Sequence, residues 1–201
     1  MRVMKDLNEH HAVPPAPGAD RYPALDLVNS VVVMPSDQSL DLLDRPAGAA
    51  RWLTAHGLAP TGLALSEEEA ARFRALRADI RSLFASSVGG EPAAESTLDA
   101  VNDALTRAPA AALLRWDATR GLHRMAAHPD TEIVDHALAR LAADAADLLT
   151  GPDAERLTAC GSNPCNRYLL RRGRRHWCST RCGDRARAAR AYARRTRPAT
   201  P

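Results

Sequence analysis

From residue 66 to residue 150 apolar and polar positions alternate mainly with the period of an α-helix. Phe73, Leu76, Ile80, Leu83 and Phe84 fall on one face of a segment that opens with Ser66-Glu67-Glu68-Glu69 and closes at Gly89-Gly90. The opening is a capping box: the Ser66 oxygen can accept from the third helical N–H while Glu69 reaches back to the Ser66 N–H. Arg72, Arg74, Arg77 and Arg81 are expected to form the solvated flank of this helix. The spacing predicts another helix over Ala94–Arg107, with Leu98, Val101 and Leu105 inward. A long one opens at Pro129-Asp130-Thr131, carries Val134, Leu138, Leu141, Ala145 and Leu148 on one face, and stops at Thr150-Gly151-Pro152. Between these two, Ala111–Ala126 changes character. Leu113, Leu114, Trp116, Leu122 and Met125 surround Asp117–Gly121, which reads as a β-hairpin with a glycine-containing loop.

Upstream, Leu25, Val28 and Val32 share helical spacing within Ala24–Met34, and Pro35 favours a stop just before it. Asp37–Asp44 reads as a loop. Pro46 suits the first turn of a short helix through Ala55, anchored by Trp52 and Leu53 and ended by Gly57, with His56 as a cap that offsets the helix dipole. Met1–Pro23 is polar and broken by Pro14, Pro15 and Pro17, so it reads as a flexible arm. Asp26 and Asn29 are polar positions in an apolar element. Either they are exposed or bonded to nearby backbone, or Asn29 lines a ligand pocket in the first domain.

Composition narrows the class. The chain has 201 residues, enough for one medium domain and a small module, and its 4% aromatic content means a core built mainly from Ala, Leu and Val. No apolar run approaches the roughly 20 residues of a membrane span. The net charge of +3 conceals a polarity. Residues 151–201 hold thirteen arginines against Asp153, Glu155 and Asp184, a balance of +10, which leaves −7 for residues 1–150. A basic end on an acidic body is the asymmetry of a nucleic-acid-binding module attached to something else. A phosphate-binding loop, a dinucleotide fingerprint and a serine elbow are all missing, and no catalytic constellation emerges, so the chain does not read as an enzyme.

All four cysteines lie in the basic end: Cys160 and Cys165, then twelve intervening residues, then Cys178 and Cys182. Two close pairs separated by a hairpin-length insert can deliver four thiolates to one tetrahedral ion. Two disulfides, or four idle thiols, are the rival readings. Disulfides need an oxidising compartment, and Met1–Pro23 lacks the apolar core of a secretory leader. His176, next to Trp177, would point away from the metal on an extended arm. With four protein ligands the ion has no open position and is structural, and zinc suits a sequence without other redox features.

The C-terminal residues carry a resemblance. Cys160-x4-Cys165, Arg174-Arg175-x-Trp177-Cys178-Ser179, Cys182-Gly183-Asp184-Arg185 and the basic helix with Tyr192 resemble the CGNR zinc finger, a bacterial C-terminal module. Leu25-Asp26-Leu27-Val28-Asn29-Ser30, with Trp52-Leu53 and Gly57, is similar to its frequent partner, the ABATE domain of putative stress-induced transcription regulators. The sequence departs from the finger in two places. Asp184 stands where the family's name-giving tetrapeptide has asparagine, and the insert Tyr168-Leu-Leu-Arg-Arg172 lacks an acidic residue.

The expected fold is therefore mainly α. A flexible arm (1–23) precedes a helical regulatory domain with a small β-hairpin (24–152), followed by a zinc-stapled hairpin–helix module (153–201). The resemblance implies a cytoplasmic bacterial transcription regulator bound to duplex DNA at the nucleoid, its first domain sensing a small-molecule effector or forming a homodimer. Arg171, Arg172, Arg174 and Arg175 on the hairpin, with Arg185, Arg187, Arg190, Arg194 and Arg195 on the final helix, are the expected phosphate contacts. Arg185 and Arg190 are expected nearest the bases. A zinc-stapled RNA- or protein-interaction module is the alternative.

Overall fold

The computed structural model describes residues 14–33, 38–108, 112–126, 132–173 and 175–196. Among these residues there are six α-helices and three two-stranded antiparallel sheets. Three helices form the body: α3 (Glu67–Gly89), α4 (Glu95–Thr106) and α5 (Ile133–Thr150). Two shorter ones, α1 (Pro23–Val28) and α2 (Pro46–Ala55), close it, and α6 (Thr180–Thr196) ends the described chain.

Helix α3 starts where the sequence predicts. Ser66 Oγ accepts from Glu69 N at 3.1 Å and Glu69 returns the bond to Ser66 N at 2.7 Å. The helix ends in Gly90 at φ +71°, a left-handed position that suits glycine. Phe73, Ile80 and Phe84 are fully buried, and they pack with Leu141 and Leu148 of α5 and Leu25 and Leu27 of α1 in one continuous core.

The arginines of α3 do not all behave as a solvated flank. Arg77 is buried and grips Asp41 with both terminal nitrogens, at 2.6 and 2.7 Å, while also reaching Ser30 Oγ at 2.9 Å. Burial would raise the Asp41 carboxyl, but the Arg77 fork outweighs it and holds the group below its ordinary range. A long aliphatic stem lets arginine cross apolar surface to a partner distant in sequence, which helical spacing alone does not reveal.

The predicted helix 24–34 is shorter than expected. It ends at Val28, and Val31–Val33 turns into strand β1, paired with β2 (Ser39–Asp41) inside the segment read as a loop. Val28 and Val32 fit helical spacing and also the alternation of a strand, and three consecutive β-branched valines favour the strand. Pro35 lies outside the described residues. Asp26 has a defined role. It accepts from Trp52 Nε1 at 3.1 Å and sits 3.2 Å from His56 Nε2, while His56 Nδ1 lies 2.8 Å from the Trp52 carbonyl at the end of α2. Burial opposes protonation of His56, yet Asp26 and that carbonyl prevail and raise its pKa. This is the helix-end cap read from the sequence.

The hairpin forms as β3 (Ala112–Asp117) and β4 (Gly121–Ala126), with Trp116 opposite Leu122 and Leu114 opposite Arg124. Its side chains do not join the core. Leu98 of α4, expected to face inward, is 44% exposed, so the helix's apolar face is only partly covered.

The proline-rich stretch ahead of α1 is anchored to the C-terminal part. Residues 1–13 lie outside the described residues, but residues 14–22 are packed, so a flexible arm over 1–23 does not describe them. Pro17 O accepts from Leu170 N at 2.7 Å, Pro14 O accepts from Arg167 Nη2 at 2.9 Å, and Tyr22 Oη donates to Asp153 at 3.1 Å. Ala16 and Ala19 are buried. Proline-rich backbone cannot build a ladder of its own, but its carbonyls still accept. Gly18, at φ +97°, passes so close to Leu170 that a Cβ would lie 2.5 Å from Leu170 Cγ, so both conformation and space require glycine here.

Candidate metal centre and nucleic-acid interface

Strand β6 (Tyr168–Leu170) is the hinge pin of the C-terminal part, paired with β5 (Leu157–Ala159). All three of its residues are buried. Successive side chains on a strand point to opposite faces. Tyr168 and Leu170 belong to the helical core, whereas Leu169 belongs to a second, smaller core made with Ala16, Cys160, Cys178 and Cys182. One three-residue strand thus separates two cores and is shared by both.

Asparagine amides fasten this strand to the helical body. Asn29 donates from Nδ2 to the Tyr168 carbonyl at 2.9 Å and accepts at Oδ1 from Tyr168 N at 2.8 Å, so its side chain imitates a neighbouring strand. Asn166 returns the arrangement from the other side. Its Nδ2 donates to Val31 O at 3.0 Å and its Oδ1 accepts from Val33 N at 3.2 Å. Arg81 adds a bond from Nη2 to Asn166 O at 2.6 Å and lies over the Tyr168 ring, which meets Phe84 edge-on. Asn29 therefore does not line a ligand pocket, because both ends of its amide are consumed by Tyr168. A cavity of about 410 Å³ lies elsewhere, between α3, α4 and α5, with Leu98, Val101, Leu105 and Leu149 in its walls.

The four cysteines converge beside Leu169. Their Sγ atoms all lie within 4.8 Å of one another. Cys178 Sγ is 3.6 Å from both Cys165 Sγ and Cys182 Sγ. Disulfide sulfurs sit about 2 Å apart, and all four cysteines are free. A tetrahedron with metal–sulfur bonds of about 2.3 Å has sulfurs about 3.8 Å apart, so the spacing fits one zinc ion. The backbone supports the sulfurs. Cys160 N donates to Arg167 O at 2.8 Å, extending the hairpin ladder, and Cys178 N points at Cys160 Sγ at 3.4 Å. Ser179 Oγ caps α6 by accepting from Cys182 N at 3.2 Å, which sets Cys182 in the first helical turn where a thiolate is favoured.

The charges of the cluster call for a cation. Thiol hydrogens from Cys165 and Cys178 hold the Cys160 pKa far down. The same contact with Cys160 pushes Cys165 and Cys178 up. Four thiolates this close together repel one another, and a dication among them removes that repulsion. Arg167, buried and missed in the sequence reading, brings Nη1 to 3.9 Å from Cys178 Sγ and adds its own positive charge. Its position two residues after Cys165 was the available signal. His176 is exposed and outside the cluster.

The finger and the helical body match two family profiles. The ABATE profile, described as a putative stress-induced transcription regulator, matches residues 22–152. The chain belongs to the ABATE family. Behind the ABATE domain, the CGNR zinc finger profile matches residues 156–195. Comparison with curated proteins returns no match. Neither matched family is described as an enzyme. The protein is thus an ABATE-family chain whose finger holds a single structural zinc through Cys160, Cys165, Cys178 and Cys182. Among the described residues no helix is long and apolar enough to cross a membrane.

A Cβ on Gly183 would sit 3.3 Å from Trp177 Cε3, so glycine lets the indole approach α6 closely beside the metal core. Asp184, in the place of the family's asparagine, pairs with Arg187. Arg187 and Arg190 in turn lie over the Trp177 ring, at 5.9 and 5.5 Å from its centroid.

The expected phosphate contacts divide. Arg171, Arg172, Arg175, Arg187, Arg190, Arg194 and Arg195 are exposed, and so is Arg181, which the sequence reading omitted. Arg185 is only half-exposed, with Nη1 buried. Arg174 lies outside the described residues.

Proposed function

We propose that this ABATE–CGNR protein is a DNA-binding transcription regulator, with the helical domain governing the finger by sensing an effector or by dimerising. The observation that supports it most is the placement of α6. Its first turn is bolted through Cys182 to the zinc core, and along the rest of it Arg187, Arg190, Arg194 and Arg195 are open to solvent. Arg187, Arg190 and Arg194 recur at i, i+3 and i+7 and so form one stripe. A helix of this kind fits the major groove, and arginine suits both phosphate and guanine edges. Asp184 is neutralised by Arg187, so it need not repel the backbone. Arg190, held on the indole, is the stronger candidate for base contact, whereas the half-exposed Arg185 is better suited to supporting the helix. A protein in this role works on the bacterial chromosome, in the cytoplasm.

Binding of a labelled duplex drawn from upstream genomic DNA, followed by fluorescence anisotropy over a salt series, tests the reading. With about six phosphates engaged, log K against log salt should fall with a slope near −5. Changing Arg190 and Arg194 together to alanine should flatten the slope by about 1.8. A salt-independent interaction, or an unchanged slope in that variant, rejects this surface. Stronger competition by RNA than by duplex at matched salt turns the reading toward an RNA-binding module.

A further inference from the structure

The β3–β4 hairpin displays an apolar face that the body leaves open. The register puts Leu114, Trp116 and Leu122 on one side of the ribbon, where they are 64%, 71% and 67% exposed. Together they leave on the order of 400 Å² of apolar surface in water, as large as the biggest patch on an ordinary monomer. A lone two-stranded hairpin is marginal in water, so such a face gains from being covered. The same chain carries a receptor of matching character. The cavity of about 410 Å³ between α3, α4 and α5 is walled by Leu98, Val101, Leu105 and Leu149, and Leu98 is itself 44% exposed.

The charges around the two features are opposite. Arg124 lies on the apolar side of the hairpin across from Leu114, and Arg115 lies on the other side. Both are exposed, and neither has an ion-pair partner among the described residues. Glu91 lines the cavity, and Glu95 and Asp99 stand exposed on α4 beside it, likewise without ion pairs among the described residues.

We infer that the hairpin of one copy docks into the α3–α4–α5 groove of a second copy, and that the exchange is reciprocal. Two such contacts close a two-fold dimer, since each copy offers one knob and one socket. Each contact covers the hairpin face and the smaller exposed lining of the groove, so the pair removes on the order of 1,000 Å² from water, the size at which a specific interface begins. This deepens the dimerising role proposed for the helical domain, and it is read without DNA, so its failure is separable from failure of the DNA reading.

Sedimentation of the zinc-loaded full chain over a concentration series tests it. The wild type should associate to a dimer. Leu114→Ser, Trp116→Ser and Leu122→Ser combined should weaken association at least tenfold, and so should Leu98→Glu alone. Arg124→Glu, a solvent-facing change that leaves the fold intact, should weaken it several-fold. Mixing the hairpin variant with Leu98→Glu should restore part of the association, because the heterodimer keeps one undamaged knob and socket. A wild type that stays monomeric at every concentration overturns the inference. So does a dimer indifferent to Leu98→Glu, or one that mixing does not rescue.

Discussion

Replacing Cys178 by serine is expected to remove the zinc and to unfold the finger, and to lower the melting temperature of the helical domain as well. Cys178 is buried, and its sulfur is 3.6 Å from two of its three cluster partners. A hydroxyl in its place gives up one thiolate ligand and leaves three thiols crowded without their ion. Structural zinc contributes on the order of 10–16 kcal/mol to the folding of small finger peptides, more than the apolar burial of the cysteine core can replace. Helix α6 then loses its anchor and the arginine stripe its fixed direction, so the DNA binding proposed for it should fall to the non-specific level. The effect should spread because of β6. When Leu169 loses the cysteine core, Tyr168 and Leu170 on the same strand lose their support in the helical core. Far-UV circular dichroism melts with zinc assays on wild type and variant measure both effects. A helical domain that melts at the wild-type temperature without its zinc would mean that the finger is an independent appendage.

Changing Asn29 to alanine is the second large expectation. The side chain is 3% exposed and satisfies both the N–H and the carbonyl of Tyr168. Alanine leaves those two buried backbone groups unpaired, each at about 1–3 kcal/mol, so the loss of stability should be about 2–6 kcal/mol. The four cysteines remain, so zinc still binds. With the strand loosened, however, zinc should pass to a competing chelator faster than from the wild type. Urea denaturation and chelator kinetics measure the two effects. A cost below about 1 kcal/mol would show that the amide is dispensable and that Asn166 and Arg81 carry the junction.

The features legible in the sequence were those set by local chemistry. The cysteine spacing gave the metal centre because a tetrahedral ion imposes short loops on its ligands. The Ser66–Glu69 box gave the start of α3, and the glycine after Asp117 gave the hairpin, where Gly121 takes φ +64°. What escaped was set by partners far along the chain. Asn29 meets Tyr168 and Arg77 meets Asp41 across long sequence separations, and neither residue announces its partner. Residues 14–22 look like a loose proline-rich arm because their bonds run to Leu170, Arg167 and Asp153, which no local pattern encodes. The exposed hairpin is the reverse case. Its apolar residues promise burial that the single chain does not supply.

One zinc ion, held by four thiolates, sets both the finger and its seam with the helical core. The most direct measurement is the metal content of the native protein, never exposed to chelator, combined with titration of its thiols. The expected result is one zinc per chain, thiols that do not react before the metal is withdrawn, and four that react afterwards. An ordered protein without metal, or one whose cysteines are joined as disulfides, would contradict it.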